Sequence, residues 1–273
     1  MSTEATRIAV TETMSALSDP MLRRLRRQEH SDPRTQAFVQ LLDLPDTAVC
    51  LEIGAGLGSI ARWLATDVAA SGQVLATEVR PELVSRIGAR GLTNLEAIKH
   101  DIRADALPGQ RYDLIFTRYV LEHLPDRKMI LAHLSQSLKP GGWLVVEDAV
   151  FHEPALTGPP AYRSAMLAFA EGKHGTDYLW GQSLPMEMSA AGLHQISAQQ
   201  IQDLFDSGSE LALFFASVLL QERDTRRDDD ATCTAALEEA VALLVGGRAW
   251  FSGPVVVQCA GRADPSLGTE EAQ

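Results

Sequence analysis

The sequence predicts an α/β fold, namely a doubly wound, mostly parallel seven-stranded sheet with helices on both faces. From Ala48 onward, short apolar segments alternate with segments of helical periodicity, which is typical of parallel strands joined by helices. The first of these apolar segments runs directly into Gly54, Gly56 and Gly58. Such a strand-to-helix turn brings backbone close to a ligand, because glycine has no Cβ to collide with it. With 273 residues, 45% of them hydrophobic, the chain can bury the core that this fold needs.

Seven apolar segments account for the strands, and most are bounded by turn residues or end at a polar side chain. They are residues 48–53, 74–77, 95–98, 112–117, 143–146, 193–198 and 254–259. A helix is predicted to begin after Asp126 and to stop at the Lys-Pro-Gly-Gly segment, residues 139–142, that precedes the fifth strand.

The change of pattern along the chain predicts its organisation. The predicted parts are an N-terminal helical cap (1–46), an α/β core (47–150), a helical lid and substrate region (151–190), the C-terminal part of the core with a helical insertion (191–262) and a flexible tail (263–273).

Composition excludes several functional classes. A net charge of −12 argues against a nucleic-acid partner, which would usually meet a basic face. The three cysteines show neither metal-binding nor pairing spacing, which favours reduced thiols in the cytoplasm. The sequence has neither an apolar stretch near the length of a membrane span nor the residue order of a signal peptide. We therefore expect a soluble, cytoplasmic protein without a membrane partner.

The glycine turn itself discriminates among nucleotide ligands. In the dinucleotide fingerprint G-x-G-x-x-G the third glycine would fall at Ser59, and a phosphate-binding loop would need a lysine that is absent. Glu52, two residues before the first glycine, suits a ligand that carries an ammonium group. Glu78 and Asp101 end the second and third strands, where a carboxylate can accept ribose hydroxyls or the amine of a base. These features match S-adenosylmethionine (SAM).

Six segments in this order and spacing resemble the motifs of the class I SAM-dependent methyltransferases, which have a Rossmann-like fold. They are residues 52–58, 74–78, 100–102, 112–116, 121–124 and 138–147. The likeness is greatest to bacterial enzymes that methylate specialised metabolites, quinones or lipids. The resemblance implies that Glu52 and the glycines hold the methionine part, Glu78 the ribose and Asp101 the adenine. The implied cofactor contacts are Glu52, Gly54, Ala55, Gly56, Gly58, Ser59, Glu78, Val79, Asp101, Ile102 and Arg118.

Catalytic candidates follow from the chemistry of methyl transfer. Transfer to an acceptor that must lose a proton needs a general base, and His152, His123, Tyr119 and His174 are the candidates. We predict no metal, because the adjacent carboxylates Glu147 and Asp148 should point to opposite faces of a strand. Four aromatic residues after the fifth strand are equally compatible with core and with a substrate pocket: Tyr162, Phe169, Tyr178 and Trp180.

The leading hypothesis is a SAM-dependent methyltransferase that acts in line on an O, N or C nucleophile of a small molecule. An alternative is a SAM-binding protein of the same fold that works without methyl transfer, as a cyclase, a pericyclase or a binding module. A nicotinamide oxidoreductase is disfavoured by Ser59. Related enzymes are often dimers, so a homodimer is an expectation drawn from the resemblance.

Overall fold

The computed structural model describes residues 25, 28–88, 91–109, 111–171, 175–225 and 231–268. His174 and most of the predicted N-terminal cap lie outside these residues. The strands of the described part are β1 Val49–Ile53, β2 Gln73–Glu78, β3 Leu95–Lys99, β4 Tyr112–Arg118, β5 Leu138–Val150, β6 His194–Asp206 and β7 Trp250–Arg262. These seven described strands form one sheet in the order β3-β2-β1-β4-β5-β7-β6.

Helices connect the strands. They are α1 Asp32–Val39, α2 Ser59–Trp63, α3 Pro81–Gly88, α4 Arg127–Gln136, α5 Pro160–Glu171, α6 Leu184–Ala190, α7 Glu210–Thr225 and α8 Ala231–Gly246. A π-helical turn, Leu64–Val68, continues α2, and short 3₁₀ turns lie at Glu29–Ser31, Leu121–His123, Glu153–Ala155, Trp180–Ser183 and Pro265–Gly268. Among the described residues, none of the helices has the length and apolar character needed to cross a bilayer.

The predicted fold class is confirmed. β1 pairs in parallel with both β2 and β4, β2 with β3, and β4 with β5. The sheet is mostly parallel with one antiparallel hairpin. Because the chain leaves β1 toward β2 and later returns to β4 on its other side, the strand order reverses at β1. Ligands of open α/β sheets bind at such a reversal, outside the carboxyl ends of the strands.

The later strands extend further than their local sequence predicts. β5 begins at Leu138 instead of Trp143, because Leu138 pairs with Tyr112 before an irregularity brings Trp143 opposite Leu114. The Pro-Gly-Gly segment therefore lies inside the strand rather than before it. β6 and β7 are thirteen residues each, about twice the predicted lengths, and only their apolar parts were visible in the sequence.

The chain divides into two compact units. The first comprises the residues described up to His30 together with Phe151–Tyr178 and Gln202–Val255, and the second comprises Ser31–Val150, Leu179–Ile201 and the chain from Val256. In the first unit α5, α7 and α8 pack on one another, and aromatic rings such as Phe151 and Tyr178, with centroids 4.6 Å apart, fill the interior. The second unit holds strands β1–β5 and a hydrophobic core that packs on one face of them.

The four aromatic residues that the sequence left undecided are all buried. In the first unit, Tyr162 packs edge-on against Phe251, and its hydroxyl donates to the Ser252 carbonyl at 2.8 Å. Phe169 and Tyr178 lie in the same ring cluster as Phe151. In the second unit, the buried Trp180 donates its indole N–H to Asp148 at 3.0 Å. These contacts favour the core interpretation.

Candidate functional site

The glycine turn after β1 has the backbone geometry that excludes other residues. Gly54, Gly56 and Gly58 adopt φ values of 72°, 58° and 72°. A Cβ on Gly54 would stand 2.5 Å from Val120 Cγ2, so the loop after β4 packs directly on the turn. Ala55 N–H donates to the Thr77 carbonyl at 2.9 Å, and Ser59 begins α2 immediately beyond the turn. The turn therefore lies close against the ends of β2 and β4.

Glu52 is buried in the second unit with an incomplete set of partners. Its carboxylate accepts a hydrogen bond from Ala61 N–H, but Oε2 is buried and has no hydrogen-bond partner among the described residues. Burial raises the pKa of this carboxyl to about 8, although the charge of Arg118 opposes the increase. A buried carboxylate oxygen without a donor is costly. An ammonium group placed beside it would remove that cost.

Glu78 turns toward the glycine loop from the end of β2. One of its oxygens accepts Gly56 N–H at 3.0 Å and the other accepts Arg80 N–H at 3.2 Å. A carboxylate offers about four lone-pair positions, so Glu78 retains the capacity to accept ribose hydroxyls. Val79, the next residue, has 45% of its surface exposed and presents an apolar face at the same strand end. Such a face suits contact with a base.

Asp101 meets a partner that the sequence reasoning did not anticipate. Its carboxylate receives two hydrogen bonds from the Arg103 guanidinium, at 3.0 and 2.7 Å, and one from Arg103 N–H at 3.0 Å. These hydrogen bonds lower the pKa of Asp101 to about 2. Contact with adenine through this carboxylate, beside the partly buried Ile102, would compete with the Arg103 guanidinium for its oxygens. An exposed ion pair of this kind contributes little free energy, so the exchange is inexpensive.

Arg118 ends β4 and is directed to α1. Its guanidinium contacts Asp32 Oδ1 at 2.8 Å, Thr35 Oγ1 at 3.1 Å and Ser31 Oγ at 3.3 Å. Burial lowers the pKa of Arg118, but Glu147, Tyr119 and Asp32 outweigh that effect and raise it. The resemblance assigned Arg118 to the cofactor, whereas in the structure its guanidinium contacts α1 and the residue that precedes it.

Two carboxylates, Asp148 and Glu122, and the loop after β4 form a second feature of the site, which the sequence did not indicate. Asp148, near the end of β5, accepts Val120 N–H and Glu122 N–H, each at 3.2 Å, besides the indole of Trp180. Glu122 in turn accepts Ala149 N–H at 2.5 Å. This reciprocal pairing fixes the loop after β4, which carries Val120 against the glycine turn.

Glu147 points elsewhere, as the alternation of a strand requires. Its Oε2 accepts the Thr35 hydroxyl at 2.7 Å and the Gln258 amide at 2.8 Å. Glu147 and Asp148 therefore have separate partners. Within the described residues there is also no group of His, Cys, Asp and Glu side chains suited to a metal ion.

The base candidates differ in their surroundings. Tyr119 is strained, with φ at 56°, and burial raises its pKa, helped by the nearby Glu147, so its phenol keeps its proton at neutral pH. His123 is 39% exposed, and its Nε2 lies 3.3 Å from Glu122 Oε1. His152 is partly buried, lies two residues beyond β5 and belongs to the first unit. The catalytic role of each stays a prediction.

A family model described as a methyltransferase domain matches residues 22–206, which is more than half of the chain. The chain belongs to the class I SAM-dependent methyltransferases. The cofactor of this family is SAM. The site in this chain fits SAM, since Glu52 Oε2 has no donor among the described residues and could accept the ammonium, and Val79 exposes an apolar face to a base.

Curated relatives share the methyltransferase core. An alpha N-terminal protein methyltransferase 1 of Drosophila melanogaster is 28% identical over 42% of this chain and 44% of the relative. Methyltransferase str3 of Strobilurus tenacellus is 28% identical over 59% of this chain and 58% of the length of that relative. A trans-aconitate 2-methyltransferase of Azoarcus sp. (strain BH72) is 31% identical over 43% of this chain and 46% of its own. The chain thus spans about half the length of the curated relatives it matches.

Solved structures share the fold. The YcgJ protein of Bacillus subtilis superposes with a TM-score of 0.57 and 14% identity, covering 84% of this chain and 97% of that one. The [4+2]-cyclase SpnF superposes with a TM-score of 0.52 and 20% identity, covering 87% of this chain and 82% of that one. The methyltransferase fold thus also occurs in a protein described as a cyclase.

Proposed function

We propose that this methyltransferase transfers the methyl group of SAM to a small-molecule acceptor by in-line displacement. The observation that carries the proposal is that Glu52 Oε2, beside a glycine turn with positive φ at three positions, is buried and has no partner in the part of the chain that the structure describes. In this proposal Glu52 holds the ammonium of the amino acid part. Gly54, Gly56 and Gly58 admit the methionine chain, Glu78 accepts the ribose hydroxyls, and Val79, Asp101 and Ile102 meet the adenine.

SAM supplies a methyl group on a sulfonium, which departs as a neutral thioether. The contribution of the chain is then to orient the acceptor and exclude water, and good orientation lowers a barrier by about 7–11 kcal/mol. Where the acceptor must lose a proton, we propose His123 or His152 as the base. Alanine at either position should then lower kcat with little change in the affinity for S-adenosylhomocysteine.

The glycine turn allows a direct test of cofactor binding. Calorimetry with S-adenosylhomocysteine should give a micromolar dissociation constant, about −8 kcal/mol, for the native protein. Gly54→Ala should weaken binding at least about tenfold, because the new methyl group meets Val120 and the backbone stays at positive φ. Gly88→Ala is the matched control, since open space surrounds that position. Absence of binding to the native protein would refute the proposal.

A small-molecule acceptor is supported by the net charge of −12, which disfavours a nucleic-acid acceptor, and by the likeness to a trans-aconitate 2-methyltransferase. Another relative is named for protein methylation, so protein N-termini belong in the screen. Incubation of candidate acceptors with methyl-labelled SAM, followed by mass spectrometry, identifies the acceptor. Labelled product from peptides alone would contradict the small-molecule assignment.

A second candidate function uses SAM without methyl transfer, and the likeness in fold to the [4+2]-cyclase SpnF supports it. The two functions predict different products. A methyltransferase releases S-adenosylhomocysteine in equal amount with a methylated product, whereas a cyclase leaves SAM intact and returns a product of the same mass as its substrate. We further propose that the protein is a cytoplasmic homodimer, and light scattering with analytical ultracentrifugation tests the dimer.

A further inference from the structure

Charged residues line one face of the sheet near its carboxyl edge. Glu52 lies opposite Phe116 in the parallel register of β1 and β4, and Arg118 lies opposite Glu147 in that of β4 and β5. Because alternate residues of a strand point to the same face, all four side chains project from one side. Arg118 is the cation of this row and lies between the cofactor acid of β1 and the acid of β5.

Helix α1 covers Arg118 with polar groups. Asp32 and Thr35 both contact its guanidinium, and the Thr35 hydroxyl donates onward to Glu147 at 2.7 Å. The side chains of Arg118 and Asp32 are only 12% and 13% exposed. An ion pair with this little exposure is screened weakly by water and salt, so its charges act on their neighbours. The position of α1 therefore determines which charges surround the side chains on this face of the sheet.

The surroundings of Glu52 include both members of that pair. Burial raises the pKa of Glu52, and the charge of Asp32 on α1 raises it further. The charges of Arg118 on β4 and Arg62 on α2 lower it, as does the Ala61 N–H of α2. The two members of the ion pair thus act on Glu52 in opposite directions.

We propose that Arg118 and Asp32 are positioning residues that set the charge of Glu52 when it binds the cofactor ammonium. Because Asp32 belongs to α1, cofactor affinity then depends on the position of α1. The inference rests on the proposed function and deepens it. On binding, the O–H bond of a protonated Glu52 breaks, its proton passes to solvent, and the carboxylate pairs with the ammonium. Arg118 and Asp32 act through Glu52 and not by touching the ligand.

The first consequence is a dependence of affinity on pH. Pairing with an ammonium lowers the pKa of Glu52, so the bound state holds fewer protons and binding strengthens as pH rises. Between pH 8 and pH 6 the affinity for S-adenosylhomocysteine should fall by roughly tenfold per unit. The probe 5′-methylthioadenosine lacks the amino acid part. Its affinity should stay constant over the same range.

The variants separate a charge effect from a structural one. Arg118→Met should move the midpoint of the pH profile upward and Asp32→Asn should move it downward, each by about one pH unit. Arg118→Lys keeps the charge and should restore a profile close to the native one. Thr35→Val removes the hydroxyl that contacts Arg118 and Glu147 while keeping the charges of Arg118 and Asp32, and it should leave the midpoint in place. A merely structural role would weaken binding of every variant at all pH values without moving the midpoint.

The outcomes are distinguishable. Opposite shifts for Arg118→Met and Asp32→Asn support the inference, and an unchanged midpoint in both overturns it while leaving the proposed function intact. A native protein that does not bind S-adenosylhomocysteine at any pH refutes the proposed function, and the inference with it. Circular dichroism shows which variants fold. If Arg118→Met does not fold, the native profile and that of Asp32→Asn decide the question.

Discussion

Two buried carboxylates of the second unit, Glu52 in β1 and Asp148 near the end of β5, are held in opposite ways. Asp148 accepts hydrogen bonds from two backbone amides of the loop after β4 and from the indole of Trp180. Glu52 accepts one from Ala61, and one of its oxygens is buried with no donor from any described residue. Burial raises the pKa of both groups, to about 8 for Glu52.

The difference separates a structural acid from a binding acid. Asp148 accepts from the amides of Val120 and Glu122 and from the indole of Trp180, and it thereby holds Val120 against the glycine turn. Glu52 carries a burial cost that is met in full only when a cation arrives. A similar degree of burial therefore has different consequences, which depend on the donors that surround each group.

The largest expected effect comes from the structural acid. Asp148→Ala leaves the amides of Val120 and Glu122 and the indole of Trp180 without their acceptor, which should lower the free energy of unfolding by about 4 kcal/mol. Urea denaturation followed by circular dichroism measures it. Asp148→Asn keeps one acceptor oxygen, so its free energy of unfolding should lie between those of the native protein and Asp148→Ala. A loss below about 1 kcal/mol for Asp148→Ala would show that Asp148 is not a structural acid.

The binding acid should show the reverse pattern. Glu52→Gln should weaken binding of S-adenosylhomocysteine by about 2–3 kcal/mol, since it removes a charged partner of the ammonium. The free energy of unfolding should not fall. The native pKa of Glu52 lies above its unfolded value, so its ionisation destabilises the fold increasingly between pH 4.5 and about 8. The advantage of glutamine over glutamate should therefore grow as the pH rises through this range.

The matched control for Glu52 is Glu96→Gln, which changes the same residue type at an exposed position of β3. Neither the affinity nor the stability of that variant should differ measurably from those of the native protein. A Glu52→Gln variant that unfolds more readily without ligand, yet binds normally, would reassign Glu52 to structure.

The smallest effect concerns the support of Asp148. Trp180→Phe removes the indole donor and some buried volume, and should lower the free energy of unfolding by about 1.5 kcal/mol. Trp250→Phe is the control, because Trp250 is 66% exposed, and should change stability by less than about 0.5 kcal/mol. Equal effects in thermal unfolding of the two variants would show that the contact between Trp180 and Asp148 contributes nothing.

Much of the fold follows from local sequence. Strands β1 to β4 occupy almost the predicted residues, because each is a short apolar segment between turn residues, and such a pattern is a local property. β6 shows the limit of this reasoning. Its thirteen residues include glutamines at 195, 199, 200 and 202, and they carry little hydrophobic alternation. Pairing with β7 extends the strand, and a partner strand is not visible in local sequence.

The residues of the site likewise fall into those that local sequence predicted and those that it did not. The sequence assigned Glu52, Glu78 and Asp101 to a SAM site because carboxyl ends of parallel strands meet at one edge. It did not find the pairing of Asp101 with Arg103, the direction of Arg118 toward α1, or the exchange of hydrogen bonds between Asp148 and the loop carrying Glu122. Most of these contacts join residues far apart in the chain, and no spacing rule encodes them.

The sequence by itself determined the glycine turn, the polar residues at the strand ends and the family, since each of these is a pattern of neighbouring residues along the chain. Only the tertiary structure decided that, among the described residues, one oxygen of Glu52 has no donor while Asp148 has three. The physical reason is that the cost of a buried carboxylate depends on which donors distant segments bring to it, and that is settled only when the whole chain has packed.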